Sequence, residues 1–267
     1  MGIITLTTDM GTRDHYVAAV KGAIYAQLTD ANIVDISHHL PPFDIAQSAF
    51  ILKNSYREFP KGTVHVIGID PEASVDRAHL VVEYEGHFFI GADNGIFSIL
   101  FDKLPENIFE LNISQDNDDL TFPVKDVFTK AACHIARGGT PEIIGTRVEK
   151  IQQKQMYRPI IEENLIRGSV IYIDSYGNVI TNITKSLFIQ VAKGRAFKIL
   201  FRSSAYSIDK ISRKYAQVPE GEKIALFGSS EHLEIAINKG VEGSGGGANK
   251  LFGLKMYDTV TIEFDSK

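Results

Sequence analysis

IITLTTDMGTRDHYVAAVKGAIYAQL, residues 3–28, changes its period partway along. Ile3 to Thr8 is short and rich in β-branched residues, which suits a strand. From Asp14 to Leu28 the apolar residues Val17, Val20, Ile24 and Leu28 recur at spacings of three and four, which predicts a helix. The same alternation repeats outward to about residue 145. Asn32 to Ile36 reads as a strand, and Asp44 to Tyr56 as a helix with Ile45, Ala49 and Leu52 on one face. Thr63 to Ile69, Ala78 to Glu83 and His87 to Ile90 read as strands. Lys125 to Arg137 carries Phe128, Ala131, Ala132 and Ile135 and reaches Gly138-Gly139, where a helix is expected to stop. Strands interleaved with helices argue for an α/β domain with a largely parallel central sheet over residues 1–150.

The character changes after that. Residues 151–164 are polar and contain a proline, which suits an interdomain linker. Beyond them the helical pattern mostly fades. Leu165 to Ile173, Val179 to Ile183, Ala196 to Phe201, Lys223 to Phe227, Leu233 to Ile237 and Thr259 to Phe264 read as strands between Gly-, Asn- and Ser-containing turns. Residues 165–267 are therefore expected to form a smaller β-rich domain.

Composition narrows the function classes. The chain has 267 residues, 44% of them hydrophobic and 23% charged, which is ordinary globular composition. The formal net charge is −5 and no Lys/Arg block stands out, so nucleic acid is not an expected partner. The one cysteine, Cys133, leaves no intrachain disulfide to form. MGIITLTTDMGTRD has no basic segment followed by a long apolar one, so no secretory signal is expected. The most apolar stretch, Phe88 to Phe101, is broken by Asp93, Asn94 and two glycines and cannot span a bilayer. A cytoplasmic protein is expected.

Asp9 follows ITLTT and Asp70 follows VHVIGI, so both end strands. In a parallel sheet, loops at the carboxyl ends of strands line the ligand crevice. The bland reading is that each aspartate caps the next turn or helix. Asp70-Pro71 opens a loop that reaches Arg77, and a carboxylate and a guanidinium flanking one loop can jointly hold a polar ligand or a water. Spacing alone points rather to a structural salt bridge. His134 falls three residues after Ala131 on the inward-leaning side of its helix, where a core role competes with a catalytic one. Cys133 and His134 are sequence neighbours and do not face one another on a helix, which excludes a thiol–imidazole pair.

No HExxH or comparable ligand spacing occurs, and no metal site is expected. GSGGGANK, residues 243–250, lacks the GK[ST] ending of a phosphate loop and reads as a flexible loop. In IDSYGNVITNI, residues 173–183, Asn178 lies in a turn. Its amide can read an adenine edge or simply form the turn. Ser229 and Ser230 open a loop into LEIAIN, where Glu234 either faces solvent or meets a ligand amine or hydroxyl.

TLTTDMGTRDHYVAAVKGAI, DISHHLPPFDIAQSAFIL, GIDPEASVDR, GADNGIFS, DVFTKAACHIARG, YIDSYGNVITNI and SSEHLEIAINKG follow one another in this order. In that order they resemble the adenosine-forming S-adenosylmethionine (SAM) hydrolases, or SAM hydroxide adenosyltransferases, relatives of the fluorinase and chlorinase enzymes. The resemblance implies an N-terminal α/β domain, a C-terminal β-barrel-like domain and a homotrimer. Its sites would lie between one subunit's N-terminal domain and its neighbour's C-terminal domain. It implies a catalytic set on Asp70, Arg77 and His134, and a ribose contact on Asp9. The methionine end falls around Asp14 and Tyr16. Adenine reading falls on Asn178, in a stretch with Asp174 and Tyr176, and further contacts on Ser229, Ser230 and Glu234.

Two departures stand out: Pro71-Glu72-Ala73-Ser74 where the hydrolases usually have a glycine-valine-glycine turn, and Met10 where phenylalanine is common. No long insertion follows Arg77, which favours hydroxide over halide as nucleophile. The expected reaction is SAM hydrolysis by water attack at ribose C5′, giving adenosine and methionine, with no cofactor and no membrane partner. The alternatives are a SAM:halide adenosyltransferase and a non-catalytic SAM- or nucleoside-binding protein.

Overall fold

The expected strand, turn and helix open the chain as β1 (Ile3–Thr8) and α1 (Tyr16–Gln27). In α1 the spaced residues Val17, Val20 and Ile24 are buried. A computed structural model describes residues 2–74, 76–105, 107–113, 121–240 and 246–266. They fall into two compact units, residues 1–156 and 157–267.

The first unit continues with β2 (Asn32–Ser37), α2 (Ile45–Lys53), β3 (Val64–Gly68), β4 (His79–Tyr84), β5 (His87–Ala92) and α3 (Ile96–Leu100). After β6 (Asn107–Leu111), a π-helical turn at Val124–Phe128 runs straight into α4 (Thr129–Ala136); α5 (Pro141–Ile144) and β7 (Gly145–Arg147) follow. Asp44 caps α2, its carboxylate accepting the Gln47 N–H. The sheet order is β2-β1-β3-β5-β4-β6-β7. The first four strands are parallel, as expected. The remaining pairings are antiparallel. The direction changes at the β4–β5 hairpin, where Glu85 and Gly86 both have positive φ, the two-residue turn that suits strand twist.

Two apolar layers cover the sheet. Ile4, Leu6, Val64 and Val66 pack with Val20, Ile24, Val127, Phe128 and Ala131 on one face. Ile67, Ile69, Leu80, Val82 and Phe89 pack with Ile45, Ala49, Leu52 and Phe97 on the other. Each buried Val, Leu, Ile or Phe among them contributes roughly 1.5–3 kcal/mol. Ile151, inside the stretch expected as linker, is buried in this second layer.

The second unit contains β8 (Ile160–Glu162), β9 (Leu165–Ile173), β10 (Val179–Thr184), α6 (Lys185–Ala192), β11 (Phe197–Phe201), β12 (Ser203–Ile208) and β13 (Ile211–Ser212). It ends with β14 (Lys223–Phe227), β15 (His232–Ile237), α7 (Ala248–Phe252) and β16 (Thr259–Phe264). The order is β12-β11-β16-β9-β10-β15-β14-β13, with β8 on β9. All pairs are antiparallel except β13 with β14, and β12 also approaches β14, so the sheet curls toward a barrel around one core. Residues 243–245 of the glycine cluster lie outside the described residues. Among the described residues no helix is long and apolar enough to cross a membrane.

Candidate active site

The carboxyl ends of β1 and β3 lie side by side, because Thr8 pairs with Gly68. Asp9 and Asp70 leave from these neighbouring ends. Gly68 has no Cβ because the helix starts on top of it: an added Cβ would sit 3.0 Å from Val124 Cγ2 and 3.1 Å from Thr8 Cγ2. The Tyr16 ring meets Phe122 edge-on at 5.6 Å, which brings the start of α1 to the same end of the sheet.

Asp70 adopts φ 43°, the left-handed region that aspartate tolerates better than most residues. Arg77 Nη1 donates to Asp70 Oδ2 at 2.9 Å, with the two side chains 32% and 30% exposed. The pair is thus formed and still open to solvent. Ser74 and Arg77 exchange both backbone hydrogen bonds at 3.0 Å, closing the far end of the loop. His79 Nε2 donates to the Pro71 carbonyl at 2.8 Å while its ring stands edge-on to Phe128. Burial lowers the His79 pKa, and the carbonyl partner, which can only accept, requires a proton on Nε2.

Asp9 accepts the Phe43 N–H at 2.8 Å, a bond to the loop before α2, 34 residues away, and not to the turn that follows Asp9 itself. Thr8 Oγ1 lies 2.7 Å from His38 Nδ1, and His38 Nε2 lies 3.1 Å from Asp35 Oδ1. Asp14 is exposed, and Tyr16 is 43% exposed.

His134 is elsewhere, and the expectation that it joins Asp70 and Arg77 is corrected here. Its helix starts at Val124, against Gly68, and ends at Ala136, whose carbonyl accepts the Gly2 N–H at 3.2 Å. The helix therefore runs back along β1, from the carboxyl end of the sheet to its amino end. Ten residues at about 1.5 Å each place His134 roughly 15 Å from Val124. Its Nε2 bonds the Thr140 carbonyl at 3.1 Å, and its ring lies where a Gly139 Cβ would be. It closes the end of its own helix.

In the second unit, Asp174 organises the turn. Its Oδ1 accepts the N–H groups of Tyr176 and Asn178, and its Oδ2 accepts the Asn178 side-chain amide, each at 2.9 Å. Asn178 is buried, while Tyr176 is 61% exposed. Glu234 pairs with Ile180 across β10 and β15 and is buried. Burial pushes its carboxyl pKa up, and the neighbouring Asp174 charge pushes the same way. Tyr215 donates to Glu234 Oε1 at 2.5 Å. The structure thus gathers Asp174, Asn178 and Glu234. Ser229 and Ser230 lie in the β14–β15 turn, Ser229 exposed and Ser230 half-buried, with the Ser230 carbonyl 2.7 Å from His232 Nδ1.

Sequence reasoning missed Asp93, Asn94, His79, His38 and Tyr215. Asp93 and Asn94 end β5 beside β3, and the strand-end criterion that selected Asp9 and Asp70 selects them too.

A profile described as SAM hydroxide adenosyltransferase N-terminal domain matches residues 4–145, and its C-terminal counterpart matches residues 168–261. A protein of Methanocaldococcus jannaschii named (R)-S-adenosyl-L-methionine hydrolase is 36% identical over 69% of this chain and 68% of its own length. A Thermus thermophilus protein of the same name is 30% identical over 93% of this chain and 94% of its own. The crystal structure of an uncharacterized conserved protein from Thermotoga maritima superposes with a TM-score of 0.86 at 26% identity, covering 97% of this chain and 99% of that one. Both halves match in order and in fold, and the chain belongs to the SAM hydroxide adenosyltransferase family.

Proposed function

We propose that the chain hydrolyses S-adenosylmethionine, giving adenosine and L-methionine, and that its substrate is the R epimer at sulfur that its relatives' names specify. The observation that carries this reading is the solvent-open Asp70–Arg77 ion pair at the carboxyl edge of the parallel strands. Water attacks ribose C5′ as the C5′–S bond breaks, and the bonding pair leaves on sulfur as a neutral thioether. No general acid is required. The difficulty lies with the nucleophile, since free water has a pKa near ~15.7.

Arg77 answers it electrostatically: its N–H groups face the oxygen on which negative charge develops, a contribution on the order of 10²–10³ in rate. Asp70 holds the guanidinium, orients the water and takes up its proton. Holding water in line behind C5′ adds up to roughly 7–11 kcal/mol in ideal cases. Asp9 takes the ribose, and Asp14 and Tyr16 the methionine end. Asp174, Tyr176, Asn178, Ser229, Ser230 and Glu234 take the nucleoside. No cofactor takes part, so chelators leave the rate unchanged.

The active form is a homotrimer in the cytoplasm, with one copy's first unit and a neighbour's second unit sharing each site. Light scattering reads the stoichiometry. The decisive test of the reaction is incubation with SAM in ¹⁸O-water. Label in the adenosine 5′-hydroxyl is expected. Absence of adenosine, or formation of a 5′-halonucleoside in its place, overturns the proposal.

A further inference from the structure

The loop from Asp70 to Arg77 is held at both ends by two side chains that no role above uses. Asn94 is 8% exposed and lies just past β5. Its Nδ2 donates to the Ile69 carbonyl at 2.9 Å and to the Asp70 carbonyl at 3.2 Å. Its Oδ1 accepts the Ile96 N–H at 3.1 Å, so α3 fixes the amide's orientation and both donors point at the loop. The adjacent Asp93 N–H donates to the Ala78 carbonyl at 2.8 Å, on the other side of Arg77. The Asp93 carboxylate accepts the Gln152 N–H at 2.9 and 3.0 Å, and the Gln152 side-chain amide donates to the Asp76 carbonyl.

We propose that Asn94, with Asp93 and Gln152, is a positioning residue that clamps both ends of this loop and so sets the spacing between the Asp70 carboxylate and the Arg77 guanidinium. The inference rests on the hydrolase reading above and goes beyond it. Its physical basis is the Asp70 backbone: a left-handed φ in a residue with a Cβ persists only where its surroundings hold it. Asn94 grips the carbonyls on both sides of the strained Cα. Carbonyls accept and never donate, so only a donor at position 94 closes the clamp.

Asn94→Asp tests this with almost no change of shape, because it removes both N–H donors and faces the two carbonyls with oxygens. A misplacement of about 1 Å at a reacting group costs on the order of 100-fold. Asn94→Asp is therefore expected to lower kcat by about that factor, with KM for SAM changed by less than about threefold. In an Arg77→Ala background, where no pair remains to position, the same substitution is expected to cost less than about threefold. An equal loss in both backgrounds, or a loss confined to KM, overturns the proposal.

Hydrogen exchange at the Ser74 and Arg77 amides supplies a readout independent of turnover. Faster exchange in Asn94→Asp, or in Asn94→Ala should the aspartate fail to fold, supports the clamp; unchanged exchange refutes it. Because exchange needs no substrate, failure of SAM hydrolysis and failure of the clamp are told apart.

Discussion

Replacing His134 by alanine separates the structure from the expectation drawn from the family. A histidine that moves a proton in the rate-limiting step is typically worth roughly 10²–10⁴ in rate, so losing a catalytic one would be plain in any assay. The structure puts His134 near the end of a helix whose start, ten residues earlier, marks the Asp70 end of the sheet. About 15 Å along the helix from Val124, it has no direct contact with the pair, and at most a charge could act across that distance. A unit charge at that distance contributes about 0.3 kcal/mol at the permittivity of water and about 1.1 kcal/mol at an effective permittivity of 20. The upper figure corresponds to a rate change of about sixfold, and physiological salt screens it further. Turnover by His134→Ala is therefore expected to stay within about sixfold of wild type. The assay is adenosine release from SAM under saturating conditions, read by chromatography beside a thermal melt. A modest loss of stability, on the order of 1 kcal/mol, is expected from the lost bond to the Thr140 carbonyl. Turnover reduced by roughly two orders of magnitude, the least expected of a lost proton-transfer group, in a protein that melts normally would refute the argument from helix direction.

Arg77→Ala is expected to slow turnover by roughly 10²–10³ while calorimetric SAM affinity stays within a few-fold. Parallel loss of both would assign the Asp70 pair to holding the loop alone. Tyr215→Phe leaves the buried Glu234 oxygen without its donor, for a predicted loss of about 1–3 kcal/mol in denaturant unfolding; an unchanged midpoint contradicts it. His65 is buried, 2.7 Å from Thr5 Oγ1 and 3.2 Å from His87, and burial lowers its pKa to about 3. Below the ordinary histidine pKa of about 6.5 the unfolded chain takes up a proton that folded His65 refuses. Stability is complete above that pH and declines toward pH 3, by up to about 1.4 kcal/mol per pH unit. His65→Gln should flatten the slope of urea stability against pH between 6.5 and 4, and an unaltered slope would remove His65 as its source.

Much of the first unit is legible in periodicity. Val17, Val20 and Ile24 repeat at three and four and are buried, and Ile45, Ala49 and Leu52 behave alike. Local spacing sets which face of an element is apolar, and burial of that face is the largest favourable term in folding. Placement of Asp9 and Asp70 at strand ends is legible for the same reason, since it needs only the strand's boundary. The β-rich character of the second unit follows from its short apolar runs and frequent turns. The helix α6 interrupts that pattern and is not legible in it.

Strand order, and the direction of elements joined by long connections, are long-range quantities that tertiary packing decided. The two-residue Glu85-Gly86 turn in VVEYEGHFF requires β4 to reverse against β5, but nothing in it states that β5 lies beside β3. Nothing in DVFTKAACHIARG states which end of its helix meets Asp70. That depends on Val124 finding the gap left by Gly68 and Ala136 finding Gly2, contacts across 56 and 134 residues of chain. The residue types and their local faces belong to the sequence. Which distant residues meet is settled by packing between segments, and that is why His134 lies away from Asp70, while Arg77, seven residues on along one loop, reaches it locally.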